Sequence, residues 1–570
     1  MTTRITTPRL RSSVAELVKH PTADVLILGG GINGIATFRE LALQGVDVAL
    51  VERGDYVSGA SSASSHMIHG GVRYLENGEF RLVNEAVHER NRLLKNAPHY
   101  VRPLETTIPI FKTFSGVLSA PLRFLTHKQR TTVERGALLI KVGLVIYDSF
   151  SRDGGSLPRH RFHGRKKSLA AMPDLNPNLK YTATYYDASM HNPERLALDV
   201  MLDGAAAGGR AANYVEVVRM SGSEVRLRDV TSGHEWGMSA KVIVNTTGPW
   251  TDLTNDKLGA PTRFMGGTKG SHIVLDHPQL FEATKGRELF FENDDGRIVL
   301  IYPLRGRVMV GTTDIDADPR EPVLCTEEEV DYFFELVHHV LPQIELDRSQ
   351  IVYRFSGIRP LPRHDDETPG FVSRDYRIEP AELPGGSLLL SLVGGKWTTF
   401  RALGEHLANL VLERLGAAHP VSTGTLAIGG GVGFPRTADD RSAWVTAHAE
   451  KVGAERTEAL LERYGTTAAT IIDSLTERDA PLTHLKGYSS DEISYLVREE
   501  QVVHLMDLIL RRTSLAFVGA LTAPLLNELA TFAGETLGWS PARRTEEIAA
   551  STTDLSDRHQ VRLEAAKASR

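Results

Sequence analysis

The chain has 570 residues, 41% hydrophobic and 24% charged, with a net charge of −6; that length suits about three domains with ample core, and the weakly acidic balance excludes general nucleic-acid binding. A single cysteine, Cys325, excludes intrachain disulfides, cysteine-ligated zinc and iron–sulfur clusters and fits a reducing cytoplasmic setting. The polar, basic stretch 1–20 lacks the apolar run of a secretory signal, and no segment approaches the roughly 18 apolar residues that span a bilayer.

Val25 to Leu28 is an apolar run that predicts a buried parallel strand, and Gly29, Gly31 and Gly34 follow it as G-x-G-x-x-G. Ile35 to Leu43 then carries a helical pattern. The glycines permit a tight turn, close approach of a pyrophosphate, and close packing of helix on strand, while the helix N-terminus offers free N–H groups. A second strand, Asp47 to Val51, ends at Glu52, 18 residues past Gly34. A carboxylate there accepts ribose hydroxyls and repels a 2′-phosphate. This order predicts FAD or NAD and excludes NADP, with Gly29, Gly31, Asn33, Gly34 and Glu52 as cofactor-binding residues.

Residues 58–76 read Ser-Gly-Ala-Ser-Ser-Ala-Ser-Ser-His-Met-Ile-His-Gly-Gly-Val-Arg-Tyr-Leu-Glu. The hydroxyls of Ser61, Ser62 and Ser65 and the bare backbone of Gly70 and Gly71 suit packing against a flat ring and a pyrophosphate; a flexible serine linker is the competing reading. Residues 110–147 interleave six basic residues (Lys112, Arg123, Lys128, Arg130, Arg135, Lys141) and one acid, Glu134, with apolar positions. That composition suits either contact with anionic lipid or a helix pair with a solvated basic face. Arg297 to Pro303 and Arg307 to Gly311 predict a hairpin. His338 and His339 lack ligand spacing and read as surface. Gly429-Gly430-Gly431 is a glycine-rich join, after which Ser489-Ser490-Asp491-Glu492 predicts a capping box opening a helical run from Ile493 to Leu510.

Several separated motifs carry a resemblance. Besides the serine and His-Gly-Gly elements, they are Glu79-Phe80-Arg81-Leu82-Val83, Asn245-Thr246-Thr247-Gly248-Pro249-Trp250, Lys269-Gly270-Ser271-His272-Ile273-Val274, and Gly311-Thr312-Thr313-Asp314. Further on come Ser356-Gly357-Ile358-Arg359-Pro360-Leu361, Ser373-Arg374-Asp375-Tyr376, and Gly394 to Arg401. On these the chain resembles the FAD-dependent glycerol-3-phosphate dehydrogenases, within the D-amino-acid-oxidase-like flavoproteins.

The resemblance implies an α/β fold: a Rossmann-like FAD-binding domain, discontinuous over 22–100, 190–255 and 355–415, with an inserted antiparallel-sheet substrate domain over 101–189 and 256–354 and a C-terminal helical domain over 425–550. It implies oxidation of sn-glycerol 3-phosphate to dihydroxyacetone phosphate by hydride transfer to flavin N5, with electrons passed to a quinone at the inner face of the cytoplasmic membrane. Arg73, Tyr74, Arg374 and Lys396 would bind substrate, since guanidinium forks and an ammonium suit a phosphate. His272 would act as base, with Arg359 stabilising the developing alkoxide. His69 competes as base, although its loop suggests a flavin contact. Ser61, Ser62, Ser65, His69, Gly248, Trp250 and Thr398 would join the cofactor set. No metal is expected, and a homodimer is the assembly to test. Two positions depart from the family pattern: His66 stands where lysine is usual, and His191-Asn192-Pro193-Glu194-Arg195 replaces an Asn-Asp-Ala-Arg element. An oxidase using O₂, an amine-oxidising relative, and a flavin-bound sensor without turnover are the alternative readings.

Overall fold

A computed structural model describes residues 10–71, 80–112, 137–150, 157–292, 298–363 and 375–563. Arg73, Tyr74 and Arg374 lie outside the described residues, as does most of the basic segment, 113–136.

Two sheets organise the chain. In the first, Thr22–Leu28 lies between Val48–Val51 and Glu235–Asn245, all parallel, and Leu388–Val393 continues the parallel order beyond Glu235–Asn245. The apolar runs are continuous because both faces are covered. Ile32–Leu43, Pro193–Ala206 and Phe400–Leu415 bury Val25, Ile27, Val48 and Val244 on one face. Ser12–Lys19 and the Val215–Ser221 and Glu224–Asp229 strands bury Leu26, Leu28 and Ile243 on the other. The first helix starts at Ile32 rather than Ile35 because Gly31 is extended and serves as its N-cap.

The second sheet is mostly antiparallel and runs from Ile315–Asp316 through Met265–Leu275, Arg307–Gly311, Ile298–Leu304, Glu288–Glu292, Val101–Ile110 and Tyr181–Met190 to Met67–Ile68. Ile351–Pro362 also pairs with Met265–Leu275. Residues 355–362 and 67–68 therefore belong to this sheet, although the sequence reading grouped both stretches with the nucleotide domain. Side-chain alternation divides its two faces. Ile273, Val299, Ile301, Val308 and Val310 face the Glu327–Val340 helix, while Val274, Leu300, Tyr302 and Met309 face the C-terminal helices. The predicted hairpin is present, and its two turn residues, Arg305 and Gly306, have φ of 54° and 76°, the pattern of a two-residue type I′ turn.

The C-terminal region is helical, with Ala454–Tyr464, Ser490–Glu499, Ala523–Leu537 and Pro541–His559 as its main helices. Ser489 caps Ser490–Glu499 by accepting from Glu492 N. The reciprocal half of the box is absent, because Glu492 is drawn to Arg463 and to Tyr464 Oη, the latter at 2.8 Å. Nor does the helix reach Leu510; it ends at Glu499, and Asp507 recaps the chain through Val503 N and His504 N, each at 2.9 Å. The triple glycine is a packed contact rather than a loose join: a Cβ on Gly430 would lie 2.0 Å from Tyr464 O.

One buried charge cluster locks the helical region to the nucleotide domain. Asp55, Arg511 and Arg512 are all buried, with Arg512 donating to Asp55 Oδ1 at 2.9 Å and Arg511 to the other oxygen. Burial raises the Asp55 carboxyl, but the two guanidiniums outweigh it and hold the group well below the usual range. Asp55→Ala leaves Arg512 buried without a carboxylate and Arg511 with Asp507 alone, and breaking a buried pair in this way costs about 3–5 kcal/mol. The expected result is a correspondingly lower urea midpoint with an unchanged m-value, whereas a midpoint within error of the parent would contradict the lock.

Candidate active site

The carboxyl ends of Thr22–Leu28, Glu235–Asn245 and Leu388–Val393 meet at one edge of the first sheet, where ligands bind in doubly wound folds. Gly29 has φ of 106°, and a Cβ on Gly34 would lie 2.0 Å from Gly29 O, so helix and turn touch without intervening side chains. The Glu52 carboxylate accepts from Gly30 N at 2.7 Å and Gly54 N at 2.8 Å; burial pushes its pKa upward despite both bonds. Ser61 Oγ accepts from Ile32 N at 3.0 Å, and Trp397 Nε1 donates to Ser61 O at 2.9 Å. Thr398 Oγ1 donates to His69 O at 3.2 Å. Asn33 Oδ1 is buried without a partner among the described residues, and its amide lies where a Cβ on Gly395 would stand. A side-chain-free cradle with an orphaned amide oxygen at a helix N-terminus fits FAD. Gly34→Val should expel the cofactor: purified protein would lose the flavin absorbance that the parent retains, and a variant of unchanged flavin content would refute the cradle.

Other expected cofactor residues are placed differently. Ser62 Oγ turns to Gly59 O at 3.0 Å, and Ser65 Oγ meets His272 Nε2 at 2.9 Å. Gly248 opens a short turn with φ of 59°, and Trp250 packs on Gly59 and donates to Pro319 O at 2.8 Å. The His69-Gly70 loop is pinned by a buried network in which Gly70 N donates to Tyr147 Oη and Asp187 Oδ1, each at 3.0 Å, while Arg90 donates to the same two groups.

Three strands of the second sheet assemble the catalytic candidates. His272 pairs with Gly311 on one side and Phe355 on the other, and Arg359 pairs with Thr268 on the same ladder. The His272 ring lies over Gly311, where a Cβ would fall 2.1 Å from Cδ2, and it stacks on Phe355 at 4.7 Å and 7°. Burial lowers its pKa well below the ordinary histidine value, and Arg359 and His66 lower it further. The imidazole is therefore neutral, and its Nε2 reaches the site through Ser65. Arg359 donates to Asp314 Oδ1 at 3.0 Å, Thr312 Oγ1 at 2.9 Å and Thr313 O at 2.9 Å, and it crosses Gly270, which leaves room for it. Lys396 is half-buried just after the Gly394-Gly395 turn, within electrostatic reach of Glu85.

Glu329 escaped the sequence reading. Its carboxylate accepts from Lys269 Nζ at 2.8 Å, Ser271 Oγ at 2.8 Å, Thr313 Oγ1 at 2.6 Å and Thr326 N at 2.8 Å. Burial opposes ionisation, but these donors outweigh it and lower its pKa. It thereby ties the strand bearing His272 to the turn that grips Arg359. Thr-x-x-Glu at 326–329 was its local signal, a capping box that the structure contains. The His338-His339 pair is exposed, as expected.

The family model for FAD dependent oxidoreductase matches residues 24–410, and that for the C-terminal domain of alpha-glycerophosphate oxidase matches 421–544. Glycerol-3-phosphate dehydrogenase of a Synechocystis strain is 32% identical over 528 residues, covering 88% of this chain and 90% of the relative. The chain belongs to the FAD-dependent glycerol-3-phosphate dehydrogenase family. Its family cofactor is FAD. The human mitochondrial glycerol-3-phosphate dehydrogenase is 29% identical over 577 residues, covering 95% of this chain and 74% of the relative. Among solved structures, the family's fold is shared by the Bacillus halodurans glycerol-3-phosphate dehydrogenase complexed with FAD, with a TM-score of 0.72 at 23% identity over 95% of this chain and 96% of that one.

Proposed function

We propose that the protein oxidises sn-glycerol 3-phosphate to dihydroxyacetone phosphate and passes the electrons to a quinone. The observation that carries the reading is the juxtaposition of a neutral buried histidine with an anchored arginine on adjacent strands, in a chain whose relatives carry that activity in their names. Bound FAD supplies the hydride acceptor at N5. Arg359, anchored by Asp314, Thr312 and Thr313, brings its positive charge to the C2 oxygen as negative charge develops there. Ser65 Oγ takes up the C2 hydroxyl proton and passes its own to His272 Nε2, which is neutral and free to accept it. As C2 loses a hydride and its oxygen a proton, the C–O bond becomes a carbonyl. Arg73, Tyr74, Arg374 and Lys396 would hold the phosphate. His69 is the second candidate for the base, favoured by its half-buried place on the loop that Tyr147 and Asp187 fix.

Quinone use is supported by an exposed apolar helix face. No described helix is long and apolar enough to cross a membrane. On Ala137–Phe150, however, Leu138, Val142 and Val145 are 46%, 50% and 54% exposed, a spacing of four and three residues that places them on one face. With Lys141 beside them, such a face suits insertion among anionic headgroups. The protein is thus read as peripheral on the inner face of the cytoplasmic membrane, with a homodimer as its assembly. Turnover with a soluble quinone analogue, measured beside hydrogen peroxide yield, tests the acceptor. Quinone-dependent turnover with little peroxide is expected; stoichiometric peroxide without quinone would mark an oxidase.

A further inference from the structure

A cavity of about 510 Å³ lies where the nucleotide domain, the Arg305 hairpin tip and the C-terminal helices meet. Ser62 lines it, but the dinucleotide glycines, Glu52, His272 and Arg359 do not, and His66 and Glu194 both do. Both positions that depart from the family pattern in chemical type therefore open on one space.

Two of its polar atoms lack hydrogen-bond partners among the described residues, and one cation lacks an ion pair. Arg305 donates Nε to His191 O at 3.1 Å and NH1 to Ser514 Oγ at 2.6 Å, both neutral, and among the described residues it forms no ion pair. Its side chain is exposed at the rim of the cavity, and desolvation by the surrounding protein lowers its pKa despite the opposing pull of Tyr488 and Glu194. Glu194 does not reach it; burial raises the Glu194 carboxyl to about 7, and its own backbone N–H is its hydrogen-bond partner. His66 is 4% exposed and Ser551 is 1% exposed, and His66 Nδ1 and Ser551 Oγ have no hydrogen-bond partner. Burial holds His66 neutral, with its pKa lowered to about 3. The remaining arginines in the wall are engaged, Arg511 by Asp55 and Asp507 and Arg558 by Asp554. Tyr353, Phe355 and Phe517 supply the apolar surface.

We propose that this cavity is a binding site for a small organic monocarboxylate with a planar apolar body, its carboxylate on Arg305 and its ring among Tyr353, Phe355 and Phe517. One guanidinium without an ion pair among the described residues matches one carboxylate, which its planar fork can grip through two bonds. A phosphate dianion would set two charges against that single cation with Glu194 nearby. The volume lies in the usual range for small-molecule sites, about 300–1,000 Å³. His66 Nδ1 and Ser551 Oγ remain to bond a ring substituent. Phe355 also forms the stacking partner of His272, so the site shares a wall with the residue assigned above as base; that link to turnover rests on the proposed reaction, whereas the binding does not.

Calorimetric titration of the FAD-loaded full chain with benzoate, benzamide and inorganic phosphate tests the site without reading turnover. Benzoate should bind the parent and Arg359→Ala alike and bind Arg305→Ala at least about tenfold more weakly, the loss of a charged hydrogen-bond pair, while benzamide should give no binding heat. No benzoate binding in the millimolar range would overturn the proposal. So would binding lost in Arg359→Ala and kept in Arg305→Ala, or a phosphate heat that disappears with Arg305. Glu194→Gln gives an independent reading even if Arg305→Ala does not fold: removing the acidic neighbour should tighten benzoate binding, and unchanged affinity would count against the site. Because no step of this titration depends on sn-glycerol 3-phosphate, its failure and failure of the assigned reaction are separable.

Discussion

Arg359→Ala lowers kcat/KM for sn-glycerol 3-phosphate by about 10²- to 10³-fold, the usual cost of removing one preorganised donor from a developing oxyanion. The size of the effect follows from how the side chain is held. Asp314, Thr312 and the Thr313 carbonyl engage three of its N–H groups, and Gly270 gives it a path that any Cβ would block. Binding energy is thus already spent on orientation before substrate arrives. Arg359→Lys should recover little of the loss, because a point charge cannot make the three divergent bonds. Flavin content should match the parent in both variants, since the arginine lies on the second sheet and not on the dinucleotide turn. A variant with parental kcat/KM and normal flavin would remove Arg359 from the mechanism.

His272→Gln should lower kcat by about 10²- to 10⁴-fold, the range for loss of a general base. Its pH dependence is the sharper test. A base is active when neutral, so activity falls as pH drops through its pKa. Burial, Arg359 and His66 all move that pKa down, to well below 6.5. The parent's kcat should therefore show no acid limb centred near 6.5, where an unperturbed histidine would place one. Ser65→Ala should mimic the loss in kcat, because Ser65 Oγ is what joins Nε2 to the site. A full acid limb near 6.5 that persists in His272→Gln would transfer the role to another histidine, His69 first.

The readable part of the molecule was local. The dinucleotide unit was legible because every requirement falls within 31 residues of chain, 22 to 52: strand periodicity, glycines that keep helix on strand, and an acid at the second strand's end. The hairpin about Arg305 was legible for the same reason. What stayed hidden depends on distant partners. Ser65 and His272 lie 207 residues apart, so nothing near Ser65 says that its hydroxyl meets an imidazole. Glu492 fits a capping box by spacing, yet Arg463 and Tyr464 capture it, because a buried carboxylate is stabilised more by a charged guanidinium than by a neutral N-cap amide. Residues 355–362 were grouped with the nucleotide domain by motif order, although hydrogen bonding to Met265–Leu275 places them in the other sheet.

The central claim, that this site takes electrons from a phosphorylated alcohol, is tested most directly by anaerobic absorbance of the purified holoprotein during titration with sn-glycerol 3-phosphate, with glycerol as control. The account predicts bleaching of the flavin band by the phosphorylated substrate, none by glycerol, and a much slower bleach in Arg359→Ala. A flavin spectrum that stays oxidised at saturating sn-glycerol 3-phosphate would contradict it.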